Sequence, residues 1–323
     1  MKRRDLVLLL ILGLLGTLPC DGQYLYTETF KNTTAPGWSF AGDDPGTPAP
    51  ILTAAQGIDT AGNGWLRLTQ NTGNQSAYTF FDRAIQTPGS IHISFEYAVW
   101  NGSGADGICF FLFDGSTVSP SPGAFGGSLG YAQKTGVDGV VNGWLGVGLD
   151  DFGNFSNPTE GRIGGPGAIP NSLTVRGSGN GTSGYAYLTS SNLNSIGQMD
   201  FPSSTTRPDQ TGVDYRRVTI DISSNNLLTV SMQFGAAGTP LAVINNFDLG
   251  SSTNMAARPS TLGLGFASAT GGSTEIHEIR NFVLETSLPL VPELSSWAIA
   301  GVGLASVAGT RFLVRRVRPA AAV

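Results

Sequence analysis

The residues best placed to do chemistry form the run Leu149-Asp150-Asp151-Phe152-Gly153-Asn154-Phe155-Ser156-Asn157. Asp150 ends an apolar stretch, and the chain then turns through Gly153 and Asn154. A carboxylate at Asp150, the backbone carbonyl of Phe152 and the amide oxygen of Asn154 fall on alternate residues. Hard oxygen donors so spaced can converge on calcium. The same run also reads as an Asx-rich turn whose side chains bond their own backbone.

Catalysis has less to draw on. The only histidines are His92 and His277. His92 alternates with Ile91 and Ile93, which puts it on the polar face of a strand, and His277 lies in the strand-like Glu275-Ile276-His277-Glu278. No G-x-S-x-G elbow accompanies either, and HExxH, CxxC and P-loop motifs are absent. Sandwich-fold glycosidases need two carboxylates on one face of a strand. Asp150-Asp151 has no Glu following at strand spacing, and Glu275 and Glu278, three apart, fall on opposite faces. Glycoside hydrolysis is the weakest of the readings. Past residue 22, Cys109 is alone, inside Ile108-Cys109-Phe110-Phe111-Leu112-Phe113, and reads as a small core residue.

The elements that must position these groups are strands. Ile91 to Val99 is apolar at every odd position; Val218, Ile220 and Ile222 repeat the pattern, as do Leu228, Val230, Met232 and Phe234. Period-two spacing turns one face to a core. Further strands are expected at 24–30, 64–69, 77–83, 107–113, 144–149, 172–176, 241–247, 261–267 and 275–285. Asn225-Asn226 makes a tight turn, and 32–50 and 178–212 read as long polar loops. Gly is 45 of 323 residues while charged residues are 13%, a composition that suits many turns and excludes a helical bundle. About a dozen strands predict an all-β jelly-roll sandwich of two antiparallel sheets over 23–290.

Charge excludes nucleic acid. Leaving out 1–22 and everything after Val291, 11 basic residues face 20 acidic ones, a balance of −9 with no basic face. The ends read as addresses. Lys2, Arg3 and Arg4 precede the aliphatic run Leu6 to Leu15, and Cys20 and Gly22 stand before Gln23, the pattern of a secretory signal over 1–22. Acylation of Cys20 is the lesser reading, since Pro19 precedes it. At the other end Val291-Pro292-Glu293 leads into an uncharged stretch, Leu294 to Thr310, and then Arg311, Arg315, Arg316 and Arg318. This order resembles the PEP-CTERM sorting signal of Gram-negative bacteria, although Leu294 stands where a second Pro is usual. The resemblance implies export, with 291–323 removed by a membrane sorting protease; an ordinary single transmembrane anchor is the alternative.

Inside the domain the order of motifs is informative. Ala105-Asp106-Gly107 precedes one apolar strand, Phe125-Gly126-Gly127-Ser128-Leu129-Gly130-Tyr131 follows it, and a second apolar strand leads to Asp150 and Asn154. Asp214-Tyr215-Arg216-Arg217-Val218-Thr219-Ile220 comes later. Leu262-Gly263-Leu264-Gly265-Phe266-Ala267-Ser268-Ala269-Thr270-Gly271 and Glu275-Ile276-His277-Glu278-Ile279 close the chain. Over roughly 24–286 this resembles the L-type (legume-like) lectins and implies their concanavalin-like sandwich. It further implies that Asp106, after a cis peptide, accepts hydrogen bonds from sugar hydroxyls. A backbone N–H of Gly126 or Gly127 donates to the same sugar, and Asn154 serves sugar and calcium. Asp150 and the Phe152 carbonyl complete the matched calcium ligands. Tyr131 or Phe155 would offer an apolar face to the ring. The last acidic ligand has no clear match, with Asn157, Glu160 and the loop 178–192 as candidates.

Plant members carry a Glu two residues before the first Asp as a transition-metal ligand; Gly148 stands there, so no transition metal is expected. The resemblance therefore implies a non-catalytic, calcium-dependent carbohydrate-binding protein whose partner is an envelope or matrix polysaccharide. Weak single sites would make oligomers or multivalent glycans useful. A structural surface protein on the same sandwich, without sugar binding, is the alternative.

Overall fold

The alternation that begins at Ile91 runs through a strand of 10 residues, Ile91–Trp100, at the middle of an 8-stranded sheet. The computed structural model describes residues 23–42, 47–118 and 120–292. In this first sheet the order is Leu241–Asp248, Leu227–Phe234, Arg216–Ile222, Ile91–Trp100, Ile276–Thr286, Leu66–Thr69 and Ile51–Leu52, with Tyr24–Glu28 also paired to Ile276–Thr286. The second sheet has 11 strands. Its central path runs through Gly143–Asp150, Gly107–Asp114, Thr261–Ala269, Ser76–Phe81 and Trp38–Gly42. Neighbours in both sheets are antiparallel.

The sheets close on one apolar layer. Ile93, Phe95, Tyr97 and Val99 meet Phe110, Leu112, Val147, Leu264 and Phe266 there. The rings of Phe95 and Phe266 stand edge to face with centroids 4.8 Å apart. Each such residue, fully buried, is worth about 1.5–3 kcal/mol. The second sheet is apolar on its outer face as well. Cys109, Phe111 and Phe113, the alternate residues of Gly107–Asp114, form a second cluster with Leu129, Tyr131, Phe155 and Tyr185 from overlying loops. Burial raises the Cys109 thiol well above its ordinary value, as suits a core residue.

The expected strands lie within a few residues of the observed ones, with two physical exceptions. The stretch 77–83 is two strands, Ser76–Phe81 and Arg83–Gln86, broken where the Asp82 N–H turns to the Gly37 carbonyl at 2.9 Å. Both polar loops also contain strand. Trp38–Gly42 pairs with Ser76–Phe81, and Tyr187–Asn192 pairs with Ser172–Arg176. Tyr187–Asn192 is polar and only half-buried, so no apolar alternation marks it. Asn226 takes a φ of 63° in the turn expected there.

No helix among the described residues is long and apolar enough to cross a membrane. The expected signal at 1–22 lies outside them, as does all of the expected tail beyond Pro292.

Candidate functional site

Asp106 sits immediately before Gly107–Asp114 and follows a cis Ala105–Asp106 peptide. Its N–H donates to the Ala269 carbonyl at 3.1 Å, and its own carbonyl accepts from Asp151 and Phe152 N–H at 3.1 and 3.3 Å. The backbone is thus held from both sides. The side chain is 4% exposed and its Oδ2 has no partner in the protein. Burial pushes the carboxyl up to about 7, against the lowering pull of Arg162. Glycines leave the space around Oδ2 open: a Cβ on Gly271 would stand 3.1 Å from it, and one on Gly126 4.0 Å.

Gly126–Ser128 forms a short 3-10 turn, anchored by Leu129 and Tyr131 in the second cluster. A Cβ on Gly127 would lie 2.2 Å from the Cβ of Asn154, so only glycine lets the loop close on that side chain. Asp106, Gly126, Gly127 and Asn154 all line one cleft of about 330 Å³. Phe125 and Phe152 line it too, and Phe152 is 40% exposed. The Lys134 ammonium lies 4.2 Å over the Phe125 ring and pairs with Glu160 at 3.3 Å.

Tyr131 and Phe155 do not reach this cleft. Both are fully buried, where Cβ atoms on Gly146 and Gly148 would meet their rings at 2.3 and 2.5 Å. Phe125 and Phe152 take the place expected of them. The sequence reading gave no role to Phe125, Lys134 or Gly272, although Phe125 opens a motif it used and Gly272 directly follows another. The Phe155 ring also fills the space beside Gly148.

Asp150 is fully buried at the end of its strand. Its Oδ1 accepts from Gly153 N–H at 2.8 Å, and its Oδ2 from Phe155 and Ser156 N–H at 2.7 and 3.3 Å. Burial raises its carboxyl to about 7 while these three donors pull it down. A carboxylate offers about four acceptor positions, so one remains, on Oδ1. The Asn154 amide oxygen accepts a long contact from Asn157 at 3.4 Å. Glu160 is held by Lys134 and by Arg162, the latter at 3.1 Å. Calcium takes about 6–8 oxygens, and its affinity rises with their charge. One carboxylate position, one carbonyl and one amide fit a weak oxygen site, not a tight one.

The neighbouring carboxylate belongs to a different group. Asp151, Glu275 and His277 bring one donor atom each within 4.8 Å of one another, all buried, an arrangement that could hold a metal. His277 Nε2 stands 3.7 Å from Asp151 Oδ2, and His277 Nδ1 lies 2.6 Å from the Thr69 hydroxyl. Burial pushes the Asp151 carboxyl well up, reinforced by Asp200 and Glu275. It raises Glu275 to about 9 and lowers His277 to about 3. His277 was expected to be an ordinary strand residue; the Asp151 contact, from the far sheet, carries no mark in the sequence. Glu278 points elsewhere and pairs with Arg67 at 2.8 Å and with Arg207, so Glu275 and Glu278 lie apart as their spacing requires.

No protein-family model matches the chain, and no curated protein matches it in sequence. Solved structures match its fold. Lotus tetragonolobus seed lectin superposes with a TM-score of 0.54 at 18% identity, over 83% of this chain and 99% of that one. Peanut lectin in complex with a 9-residue peptide gives 0.54 at 18%, over 84% and 99%. The exoplasmic/lumenal domain of VIP36 in its Ca2+/Man2-bound form gives 0.50 at 15%, over 80% and 86%. The two sheets therefore form the legume-lectin jelly-roll sandwich.

Proposed function

We propose that this protein binds glycans without chemically altering them, at the cleft of Asp106, Gly126, Gly127 and Asn154. The observation that carries the reading is the unpartnered Oδ2 of Asp106. It is a buried acceptor facing a glycine-lined cleft, with an amide side chain and two aromatic rings beside it. A sugar hydroxyl donates to such an oxygen, glycine N–H groups approach its ring closely, and an aromatic face covers its apolar patch. The fold shared with lectins supports the same class of ligand, and the Man2 in the VIP36 structure makes mannosides the first glycans to try. A cleft this small holds one or two sugar units, at about millimolar Kd or −4 kcal/mol.

Calcium is part of the proposal as a weak ligand of Asp150, the Phe152 carbonyl and Asn154. Bound there, it would brace Asn154 against the sugar; Asp106 and the glycine N–H groups act directly. Export through the segment 1–22 and processing of the tail by a sorting protease would place the protein at the cell surface or in a polysaccharide matrix. There, several copies or a repeating glycan would supply avidity.

The test is a glycan array read with the full chain, with and without calcium, beside Asp106→Asn. Binding lost in the variant supports the reading. A second reading, a structural surface protein that binds no sugar, draws on the three N–H donors that already occupy Asp150. Silence of the wild-type protein on every multivalent glycan, with calcium present, would remove the support for sugar binding and favour it.

A further inference from the structure

We propose that Asp151, Glu275 and His277 bind a divalent first-row transition cation inside the sandwich, at a site separate from the glycan cleft. Five polar atoms carry the inference: both oxygens of Asp151, both of Glu275, and His277 Nε2. All five are buried and lack a well-formed hydrogen bond; the one donor nearby is the Ala105 N–H, which approaches the Glu275 carboxylate. An orphaned buried polar atom costs about 1–3 kcal/mol, and five converging in one place call for a common partner.

The geometry suits a cation better than direct bonding among the three side chains. Asp151 Oδ2 and His277 Nε2 are 3.7 Å apart, too far for a hydrogen bond. Donors about 2.1 Å from a tetrahedral ion stand about 3.4 Å from one another, and the whole group falls within 4.8 Å. His277 is already oriented. Its Nδ1 meets the Thr69 hydroxyl at 2.6 Å. Thr69 Oγ1 lies 3.3 Å from Ser268 Oγ, which donates to the Gly107 carbonyl at 2.8 Å. With Nδ1 donating to Thr69, the Nε2 lone pair faces the carboxylates, the outer-shell arrangement of metal-binding histidines.

Chemistry selects the class of ion. Two carboxylates balance a double positive charge, and Asp200, buried nearby, adds to the negative field. One imidazole with two carboxylates is a mixed N/O set, suited to zinc, manganese or cobalt, whereas calcium and magnesium sites are built from oxygens. The expectation of no transition metal rested on Gly148; this group uses none of the residues around that position except Asp151.

The experiment strips the full chain with chelator, adds Zn2+ or Co2+, and measures the metal retained after gel filtration. One cation per chain is expected, with a higher melting temperature. Glu275→Gln should abolish retention, while Asp150→Asn should keep it. X-ray absorption on the wild-type zinc form needs no variant, and one imidazole among oxygen donors is expected. No retained metal, retention unchanged in Glu275→Gln, or a shell without imidazole would overturn the proposal in favour of protonated acids or a trapped water. Glycan binding is read separately, so failure here leaves the cleft untouched.

Discussion

Asp150 and Asp151 are consecutive, yet their carboxylates have opposite surroundings. The Asp150 oxygens accept three N–H groups of the following turn, at 2.7 to 3.3 Å. Neither Asp151 oxygen has a partner, and Oδ2 lies 3.7 Å from His277 Nε2 on the other sheet. Successive residues of an extended chain point to opposite faces, so one dipeptide serves two environments.

From this difference follows a pair of stability effects. Asp150→Ala leaves three buried N–H groups without their acceptor, at about 1–3 kcal/mol each. It should lower the urea midpoint sharply whether or not calcium is present. Asp151→Asn, in metal-free protein, removes an unpaired buried acid and should leave the midpoint unchanged or raise it. Equal losses in both variants would contradict the contrast.

Asp106→Asn separates binding from folding. Hydrogen bonds to a charged group contribute about 1.5–3 kcal/mol, so glycan affinity should fall about 10- to 150-fold by calorimetry. The melting temperature should not fall, because the carboxylate lost is buried and unpartnered.

Gly271→Ala probes the space around that oxygen. Position 271 lies outside the left-handed region, so alanine fits its backbone, but its Cβ would stand 3.1 Å from Asp106 Oδ2. Glycan binding should weaken at least tenfold with circular dichroism unchanged. Full affinity in this variant would mean that the sugar does not sit over Asp106.

Arg176 holds the segment beyond Asn154 in place. Its guanidinium donates to the carbonyls of Phe155 at 2.7 Å, Ile163 at 2.9 Å and Tyr185 at 2.8 Å. Arg176→Met orphans the buried Phe155 and Tyr185 carbonyls, whereas that of Ile163 keeps the Tyr187 N–H at 2.9 Å, and should cost several kcal/mol in denaturant unfolding, about 1–3 kcal/mol for each orphan. Arg176→Lys, with one point charge for a planar fork, should recover only part of the loss.

Stability should also carry a small histidine step in pH. His92 and Asp221 face each other across paired strands, Nδ1 to Oδ1 at 2.6 Å, and that hydrogen bond raises the His92 pKa above 6.5. The folded state therefore holds the proton more tightly. The pair's contribution is complete below about pH 6.5 and is lost as pH rises through the raised value. Both side chains are more than a third exposed, so solvent limits the step to at most about 1 kcal/mol. Melting curves of wild type and His92→Gln across that range should converge at high pH.

Arg216–Ile222 was legible in the sequence because its burial alternates with the pleat; Ile91–Trp100 was legible from its alternating residue types, although every position but His92 is buried. Tyr187–Asn192 was not: it is an outer strand whose side chains stay half-exposed, so backbone pairing defines it. The cleft residues were legible as a succession of motifs, and they do line one cavity. Tyr131 and Phe155 misled because an aromatic ring beside a motif looks the same whether it faces ligand or core. The group of Asp151, Glu275 and His277 needs a contact across some 124 residues of chain, and no local spacing encodes that.

The second apolar cluster bears on how the cleft behaves before a ligand arrives. Leu129, Tyr131, Phe155 and Tyr185 carry the cleft-forming loops down onto the outer face of the second sheet, and all four are fully buried. Segments rooted this way open with the sandwich instead of fraying on their own. Amide hydrogens of Leu129, Gly130 and Tyr131, which donate to the Gly126, Ala124 and Ser128 carbonyls, should therefore exchange with solvent about as slowly as those of the central strands. A cleft whose walls are set at folding would lose little further conformational freedom to a ligand, and its fit would come from a fixed shape.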